Sequence, residues 1–280
     1  RYIKPVIDKA IHYYTLAANQ NLPCSQYILG FIYEHDTYNL QDIDKAIHYY
    51  TLAADQNYSL AQNNLGFLYY NDNKSIHDIK KAIHYFELSG KQGHSDSLLM
   101  LGFIYYSNRY IPRDIDKAIH YYSLAANLNN IAAQYNLGLI YKEGKYITRD
   151  IQKSIHYFSL SAKNYIYAQF ELGLIYGSGQ YIERDYRKAI HYFELSTKFN
   201  CPEAFHNLGS IYENNEYDTF NIDKAIHYYT LAANLNFAQS QFCLGVLYCK
   251  GGYVTVDIDK SIYYFTLAAQ QNYLPAINNL

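Results

Sequence analysis

The chain has 280 residues, of which 50% are apolar, and its formal net charge at pH 7 is -2. This apolar content excludes an intrinsically disordered protein. The near-neutral charge argues against electrostatic binding of nucleic acid or of an anionic membrane. No apolar run approaches the roughly 20 residues of a membrane-spanning helix. The cysteines (Cys24, Cys201, Cys243, Cys249) follow no regular spacing, which favours a reducing compartment such as the cytoplasm over a disulfide framework.

The phrase D-I-D-K-A-I-H-Y-Y recurs with small changes from one end of the chain to the other. Its lysine, and the glycine of a second phrase, L-G-x-I/L-Y, repeat every 36 residues, with a single interval of 35. The lysines are Lys9, Lys45, Lys81, Lys117, Lys153, Lys188, Lys224 and Lys260, and the glycines are Gly30, Gly66, Gly102, Gly138, Gly173, Gly209 and Gly245. A period of this length predicts a stack of helical hairpins instead of one compact core.

The predicted elements alternate along the chain between two helices, which we name helix A and helix B. The chain begins just before a helix B around Lys9, continues into a helix A around Gly30, and repeats this order to its end. In helix A a small residue lies five positions before the glycine, Leu directly before it and Tyr three after it, which places these three on one stripe. In helix B the buried stripe is Ala, an aromatic residue and Ala, as at Ala46, Tyr50 and Ala53.

Short polar residues at the predicted helix boundaries supply caps and turns. Helix B begins at an Asp or Asn that can accept hydrogen bonds from free backbone amides: Asp42, Asp78, Asp114, Asp150, Asp185, Asn221 and Asp257. The connectors carry residues that tolerate the left-handed conformation. These are Asn21, Asn57, Gly93, Asn129, Asn164, Asn200, Asn236 and Asn272 after helix B, and Asp36, Asp72, Asn108, Gly144, Gly179, Asn215 and Gly251 after helix A.

The combined pattern A-Q-x-x-L-G-x-I-Y, a turn, and K-A-I-x-Y-Y-x-L-A-A resembles the Sel-one-like repeat (SLR), a relative of the tetratricopeptide repeat. A glutamine stands where tetratricopeptides usually carry Trp, at Gln26, Gln62, Gln134, Gln169 and Gln241. The resemblance covers the whole chain. It implies an all-α fold, a right-handed α-α superhelical solenoid of about seven 36-residue repeats with half-repeats at both ends.

Residues 1–280 are expected to form a single repeat array. Solenoids usually end in atypical polar units that cover the terminal core, and neither end of this sequence carries one. We therefore expect the chain to be a fragment of a longer protein.

Two recurring sets of polar residues invite a metal-site interpretation. The histidines of helix B (His12, His48, His84, His120, His156, His191 and His227) lie opposite its buried stripe and recur once per unit. Neighbouring units are on the order of 10 Å apart, which is too far for ligands that share one zinc ion. The Asp-Ile-Asp triplets suit helix capping and lack the rest of a calcium loop. With no catalytic or phosphate-binding motif in the chain, we expect no metal, no cofactor and no enzyme activity.

The best candidate for binding is the exposed side of helix A, at positions three before, one after and four after the glycine. In tetratricopeptides the matching positions line the concave groove that holds extended peptides. An aromatic and aliphatic stripe there indicates an interaction surface. Its members are Tyr27, Phe31, Phe67, Tyr70, Leu99, Phe103, Tyr106, Tyr135, Leu139, Phe170 and Leu174. The alternative is that a tightly wound superhelix buries these residues between neighbouring units, and the sequence leaves both interpretations open.

The sequence therefore predicts a protein-protein interaction scaffold or adaptor, which binds an apolar or aromatic partner segment or helix on the concave helix A face. It predicts neither nucleic-acid binding nor membrane insertion. The alternative function is a non-catalytic spacer or regulatory array, attached to an enzymatic domain such as a kinase that lies outside these residues.

Overall fold

The computed structural model describes residues 3–35, 40–71, 76–215 and 217–280. Across these ranges the chain forms sixteen α-helices and no strand. They belong to two compact units, Arg1–Thr148 and Arg149–Leu280. None of the helices in these ranges combines the length and the hydropathy that crossing a membrane requires.

Even-numbered helices are the predicted helix A and odd-numbered helices the predicted helix B. The first unit contains α1 (Ile3–Asn19), α2 (Pro23–Glu34), α3 (Ile43–Asp55), α4 (Ser59–Asn71), α5 (Ile76–Lys91), α6 (Ser95–Ser107), α7 (Ile115–Asn127) and α8 (Ile131–Glu143). The second unit contains α9 (Ile151–Ser161), α10 (Ile166–Ser178), α11 (Tyr186–Thr197), α12 (Pro202–Glu213), α13 (Ile222–Asn234), α14 (Ala238–Lys250), α15 (Ile258–Gln270) and α16 (Leu274–Ile277).

At six of the helix A glycines, an aromatic ring from the following helix B packs directly against the glycine. A Cβ atom at Gly30 would lie 2.5 Å from Cδ1 of Tyr50, so only glycine lets the two helices approach this closely. The ring itself is fully buried. The same pairing occurs at Gly66–Phe86, Gly102–Tyr122, Gly173–Phe193, Gly209–Tyr229 and Gly245–Phe265.

The buried stripes agree with the sequence prediction. The leucine before each glycine has no exposed surface: Leu29, Leu65, Leu101, Leu137, Leu172, Leu208 and Leu244. In helix B, Ala46, Tyr50 and Ala53 are likewise fully buried. Burying these side chains is the main source of stability in a stack of this kind.

The tyrosine three residues after the glycine joins each helix A to the next helix B. The ring of Tyr33 stacks on Tyr49, with 5.8 Å between centroids and 6° between planes. Lys45 Nζ lies 5.2 Å from the centroid of the Tyr33 ring and 2.9 Å from Oδ2 of the capping Asp42. Stacked pairs of the same kind are Tyr69–Tyr85, Tyr105–Tyr121, Tyr176–Tyr192, Tyr212–Tyr228 and Tyr248–Tyr264.

The predicted caps are confirmed for six of the seven residues. Asp42, for example, accepts a hydrogen bond from the Lys45 backbone amide at 3.0 Å, and Asp114, Asp150, Asp185, Asn221 and Asp257 do the same in their helices. The prediction for Asp78 is wrong, because α5 already begins at Ile76 and Asp78 lies inside its first turn.

The predicted left-handed turns are confirmed at most positions, with φ of 64° at Asn57 and 62° at Gly144. Asn164 and Asn215 do not adopt this conformation. Asn164 lies in the connector shortened by one residue, where the chain leaves α9 with Ala162 still right-handed. The chain leaves α12 through an extended Asn214, so Asn215 needs no left-handed turn. Asp36 and Asp72 lie outside the described residues.

A buried glutamine ties successive repeats together, a role that the sequence did not assign to it. The Gln62 amide donates hydrogen bonds to the Ala54 carbonyl and to Asn57 Oδ1, both at 3.2 Å. Its own oxygen accepts from Gln92 Nε2 at 2.7 Å. The same bond between two glutamines, also at 2.7 Å, joins Gln56 to Gln26 and Gln271 to Gln241.

Candidate functional site

The helix A face comprises the positions three before, one after and four after the glycine of each helix A. Of the eleven predicted binding residues, nine are half-buried. The two exposed members are Phe31 and Phe103, which keep 47% and 41% of their surface in solvent. The face thus contains both partly covered rings and apolar surface that solvent reaches.

The positions three before the glycine pack between repeats. The Tyr27 ring lies 5.7 Å from Tyr50 and 5.4 Å from Tyr58, which directly precedes the next helix A. Phe170 lies 5.7 Å from the Phe193 ring, and Leu99 and Tyr135 are half-buried. At these positions much of each side chain is therefore occupied by contacts within the stack.

The positions after the glycine form a more open row of rings. Tyr70 meets Phe103 edge-on at 6.4 Å, and Tyr106 meets Tyr146 edge-on at 6.1 Å. Phe67 is edge-on to the buried Phe86 at 5.2 Å, so it is anchored to the core. These rings pack from one repeat to the next and leave part of their surface uncovered.

A cavity of about 150 Å³ opens on this face of the first unit, between α6 and α8. Three predicted residues, Phe103, Tyr106 and Leu139, form part of its wall. The full lining is Phe103, Tyr106, Tyr122, Asn136, Leu139, Ile140 and Glu143. Tyr122 is only 2% exposed, and burial raises the pKa of its hydroxyl well above the usual value, while its hydrogen bond with Asn136 acts in the opposite direction.

The second unit has a cavity of about 160 Å³ at the equivalent place, between α10 and α12. It is lined by Gly173, Leu174, Gly177, Ser178, Tyr186, Phe193, Asn207, Ser210 and Ile211. Leu174 is a predicted binding residue, but Gly177 and Ser210 stand where the first cavity has Tyr106 and Leu139. The second cavity is therefore lined by smaller and more polar side chains.

Sequence reasoning missed the residue two before the glycine. Asn136 and Asn207 line the two cavities, and Asn64 at the same position donates a hydrogen bond to the Tyr50 hydroxyl at 2.9 Å. The recurrence of Asn at one register position was a signal in the sequence. The position two before the glycine lies beside the buried Leu and Tyr stripe of helix A, so helical periodicity alone does not assign it a contact.

Two buried tyrosine hydroxyls donate to carboxylates at the edge of the helix A face. Tyr50 Oη lies 2.6 Å from Glu34 Oε2, and Tyr229 Oη lies 2.7 Å from Glu213 Oε2. Burial, and then the hydrogen bond to Glu34, raise the pKa of Tyr50. These hydroxyls therefore remain protonated donors at any physiological pH.

The second unit also carries a half-buried histidine on this face. His206 Nδ1 lies 2.9 Å from Ser240 Oγ, and its ring packs against Tyr229 and Phe237. Burial lowers the pKa of His206, because the charged imidazolium loses solvation there. Burial raises the pKa of the nearby Cys243 thiol to about 11.

The helix B histidines lie on the outer side, as the sequence predicts. All seven are exposed, and each lies edge-on to the tyrosine that follows it, as His48 does to Tyr49 at 5.2 Å. In the part of the chain that the structure describes, no three His, Cys, Asp or Glu side chains are grouped so that they could hold a metal ion.

Pairs of helices that stack through an aromatic ring on a glycine define a helical repeat protein of the tetratricopeptide-like class. The chain belongs to the Sel1 repeat family. Its family model, described as Sel1 repeat, matches residues 1–22, 25–58, 59–94, 95–130, 131–165, 166–198, 202–237 and 238–273. Proteins built from Sel1 repeats generally act as scaffolds for protein interactions.

Two solved structures share the fold over nearly the whole chain. A protective antigen of uropathogenic Escherichia coli strains, which displays an SLR fold, is 27% identical with a TM-score of 0.84 over 96% of this chain. The chain spans 58% of that protein's length. A Sel1 repeat protein from Oxalobacter formigenes is 26% identical with a TM-score of 0.77, over 95% of this chain and 78% of its own. The predicted fold class is thereby confirmed, while no curated protein matches the sequence.

Proposed function

We propose that the chain is an interaction scaffold that binds an extended apolar or aromatic segment of a partner protein on the helix A face of its first unit. The observation that carries the proposal is the cavity between α6 and α8, bounded by Phe103, Tyr106 and Leu139. Apolar side chains that converge on a concave site serve as anchor points for a partner's side chain.

The open row of rings supports the extended form of the partner. Tyr70, Phe103 and Tyr106 follow one another across α4 and α6, so a segment laid across these helices meets an aromatic surface in each repeat. Contacts of this kind are individually shallow, and affinity comes from their number and from the few anchors that fill a cavity. Phe170 and Leu174 provide a comparable patch on the second unit.

A scaffold needs no catalytic group, and the chemistry of the face agrees with this. Cys243 packs against the same core cluster as Tyr229, whose ring His206 contacts, and burial raises the pKa of its thiol to about 11. A thiol with so high a pKa is almost entirely protonated at neutral pH and is a poor nucleophile. The tyrosine hydroxyls are held in their donor form by burial.

The proposal is tested by selecting random-sequence displayed peptides on the intact chain and measuring their affinity for variants. Phe103→Ser should weaken the selected peptides by about tenfold, because it removes an anchor from the cavity wall. Leu124→Ser on the outer side of α7 is the matched control, since Leu124 is 38% exposed and lies away from the face. Circular dichroism on both variants establishes that helicity is retained.

Equal weakening by both variants, or none by Phe103→Ser with helicity intact, would contradict binding on this face. In that case the rival function remains, a spacer or regulatory array for an enzymatic domain outside these residues.

A further inference from the structure

We infer that the cavity between α6 and α8 receives a glutamate side chain of the partner segment, whose carboxylate accepts a hydrogen bond from the Tyr122 hydroxyl. The inference rests on the proposed function and specifies the chemistry of its main anchor. It comes from comparing this repeat with the other repeats of the same chain.

Other repeats fill the corresponding place with their own glutamate. Glu34 lies four residues after Gly30 and accepts from Tyr50 Oη at 2.6 Å. Glu213 lies four residues after Gly209 and accepts from Tyr229 Oη at 2.7 Å. A glutamate side chain of helix A therefore has the right length to reach a buried tyrosine hydroxyl of helix B.

A glutamate four residues after the helix A glycine occurs only in repeats whose helix B ring is a tyrosine. Four helix B rings lack a hydroxyl, and none of them has an acid at the paired helix A position: Phe86 with Tyr70, Phe158 with Lys142, Phe193 with Gly177, and Phe265 with Cys249. Among the helices B that follow a helix A, three rings are tyrosines, and two of them, Tyr50 and Tyr229, are paired with glutamate. Tyr122 is the exception, because its partner position holds Tyr106.

The α6–α8 repeat thus presents a buried donor without the carboxylate that its counterparts have. Tyr122 is hydrogen-bonded to Asn136, which occupies the register position of Asn64. Asn64 donates to the oxygen of Tyr50, which leaves that hydroxyl proton for Glu34. By the same geometry the Tyr122 proton is left for an acceptor, and both Tyr122 and Asn136 line the cavity. A carboxylate of the partner that enters the cavity can accept this proton, as Glu34 does from Tyr50, and a hydrogen bond to a charged acceptor adds affinity.

The wall also suits a glutamate. Phe103, Leu139 and Ile140 offer apolar surface to its methylene groups. Glu143, which also lines the cavity, repels an anion. Arg113 lies 5.6 Å from the centroid of the Tyr106 ring and offsets part of this repulsion.

An intramolecular experiment tests whether a carboxylate fits. Tyr106→Glu restores the pairing seen at Tyr50 and Tyr229, and it is made both in the native chain and together with Tyr122→Phe. The second change is mild because four repeats carry Phe at this position. The change in melting temperature caused by Tyr106→Glu is measured in each background. We expect this change to be about 4 °C more favourable in the native background than in the Tyr122→Phe background. An identical change in both backgrounds would overturn the inference.

A binding experiment uses N-acetylglutamate N-methylamide as the probe, with its glutamine analogue as control, followed by NMR of the Asn136 side-chain amide. The glutamate probe should bind in the millimolar range, and Tyr122→Phe should weaken it about tenfold. Tyr106→Glu should abolish it by occupying the cavity. Equal binding of the glutamine analogue, or no effect of Tyr122→Phe, would overturn the inference. Displayed peptides that still depend on Phe103 would then leave the proposed function standing.

Discussion

At the scale of single residues, the helix A glycine lowers helix propensity but allows an aromatic ring to pack against the helix. Glycine inside a helix costs about 1 kcal/mol relative to alanine, yet every complete helix A carries one at its centre. The ring that occupies the freed space is fully buried, as Tyr50 is against Gly30. Burying an aromatic side chain of this size more than offsets the loss of propensity.

Gly102→Ala should lower the free energy of unfolding by about 1–3 kcal/mol, because the new methyl would lie 2.5 Å from Cδ1 of Tyr122. Gly177→Ala is the matched control, since its methyl would meet Ala189 Cβ at 3.4 Å and Phe193 Cε2 at 3.8 Å, which are ordinary van der Waals contacts. That change should be neutral or raise stability by up to about 1 kcal/mol. Urea denaturation compares the two, and equal destabilisation would contradict the ring-on-glycine explanation.

The half-buried His206 gives the second unit a pH dependence. Because its folded pKa is lowered, its stabilising contribution is full above the unfolded pKa of about 6.5 and is lost as the pH falls through the folded value. His206→Phe should therefore lose less thermal stability between about pH 7.5 and pH 5 than the native chain does. Thermal unfolding at the two pH values checks this, and an equal loss in the native chain and in His206→Phe would contradict it.

At the scale of helices, the boundaries are set by short side chains and are nearly interchangeable between repeats. The side chain of Asp114 accepts from the Lys117 amide at 3.0 Å at the start of α7, and Asn221 does the same for Lys224 in α13. The ion pairs that the capping acids form with these lysines are largely exposed and add little. The cap itself is the important interaction.

Asp114→Ala should destabilise the first unit by about 1 kcal/mol, because the cap at the start of α7 is lost. Asp114→Asn should cost much less, because Asn221 shows that the amide serves as a cap in this fold. Thermal unfolding followed by circular dichroism separates the two. A loss as large for Asn as for Ala would place the effect in the charge and not in the cap.

The helices were predictable because their signals are local and repeated. The Leu, Gly and Tyr stripe and the capping residues depend on one helix and recur in each repeat, so chance matches are averaged out. The left-handed turns predicted at Asn164 and Asn215 are absent because the connector at Asn164 is one residue shorter and because the chain leaves α12 through an extended Asn214. The helix A face stayed ambiguous because the exposure of Phe103 or Tyr135 depends on the neighbouring repeat. The cavity depends on the pair of Tyr106 and Tyr122, which are sixteen residues apart on different helices.

At the scale of the whole molecule, a repeat array is held together by neighbours. Within each unit every helix contacts the next one along the chain, and in the first unit each helix A also contacts the adjacent helix A. The buried glutamines reinforce the same joints, as between Gln62 and Gln92. Stability is then close to a sum of repeat and interface contributions, and a local defect has a local effect.

Leu101→Ala should test this locality. It deletes a fully buried side chain of α6 and should cost about 2–5 kcal/mol. Amide hydrogen exchange should accelerate most in α5 to α8 and least in α1 and α2 of the same unit. Leu128→Ala at the end of α7, which is 46% exposed, serves as the control and should change little. Uniform acceleration throughout the first unit would instead indicate that it unfolds as one cooperative body.

The exposed histidines of helix B have a chemical consequence. They all lie on the outer side, each edge-on to the tyrosine that follows it, whereas His206 on the helix A face is half-buried and hydrogen-bonded to Ser240. A reagent that acylates imidazole nitrogens should therefore modify the helix B histidines of the folded chain first and reach His206 only slowly.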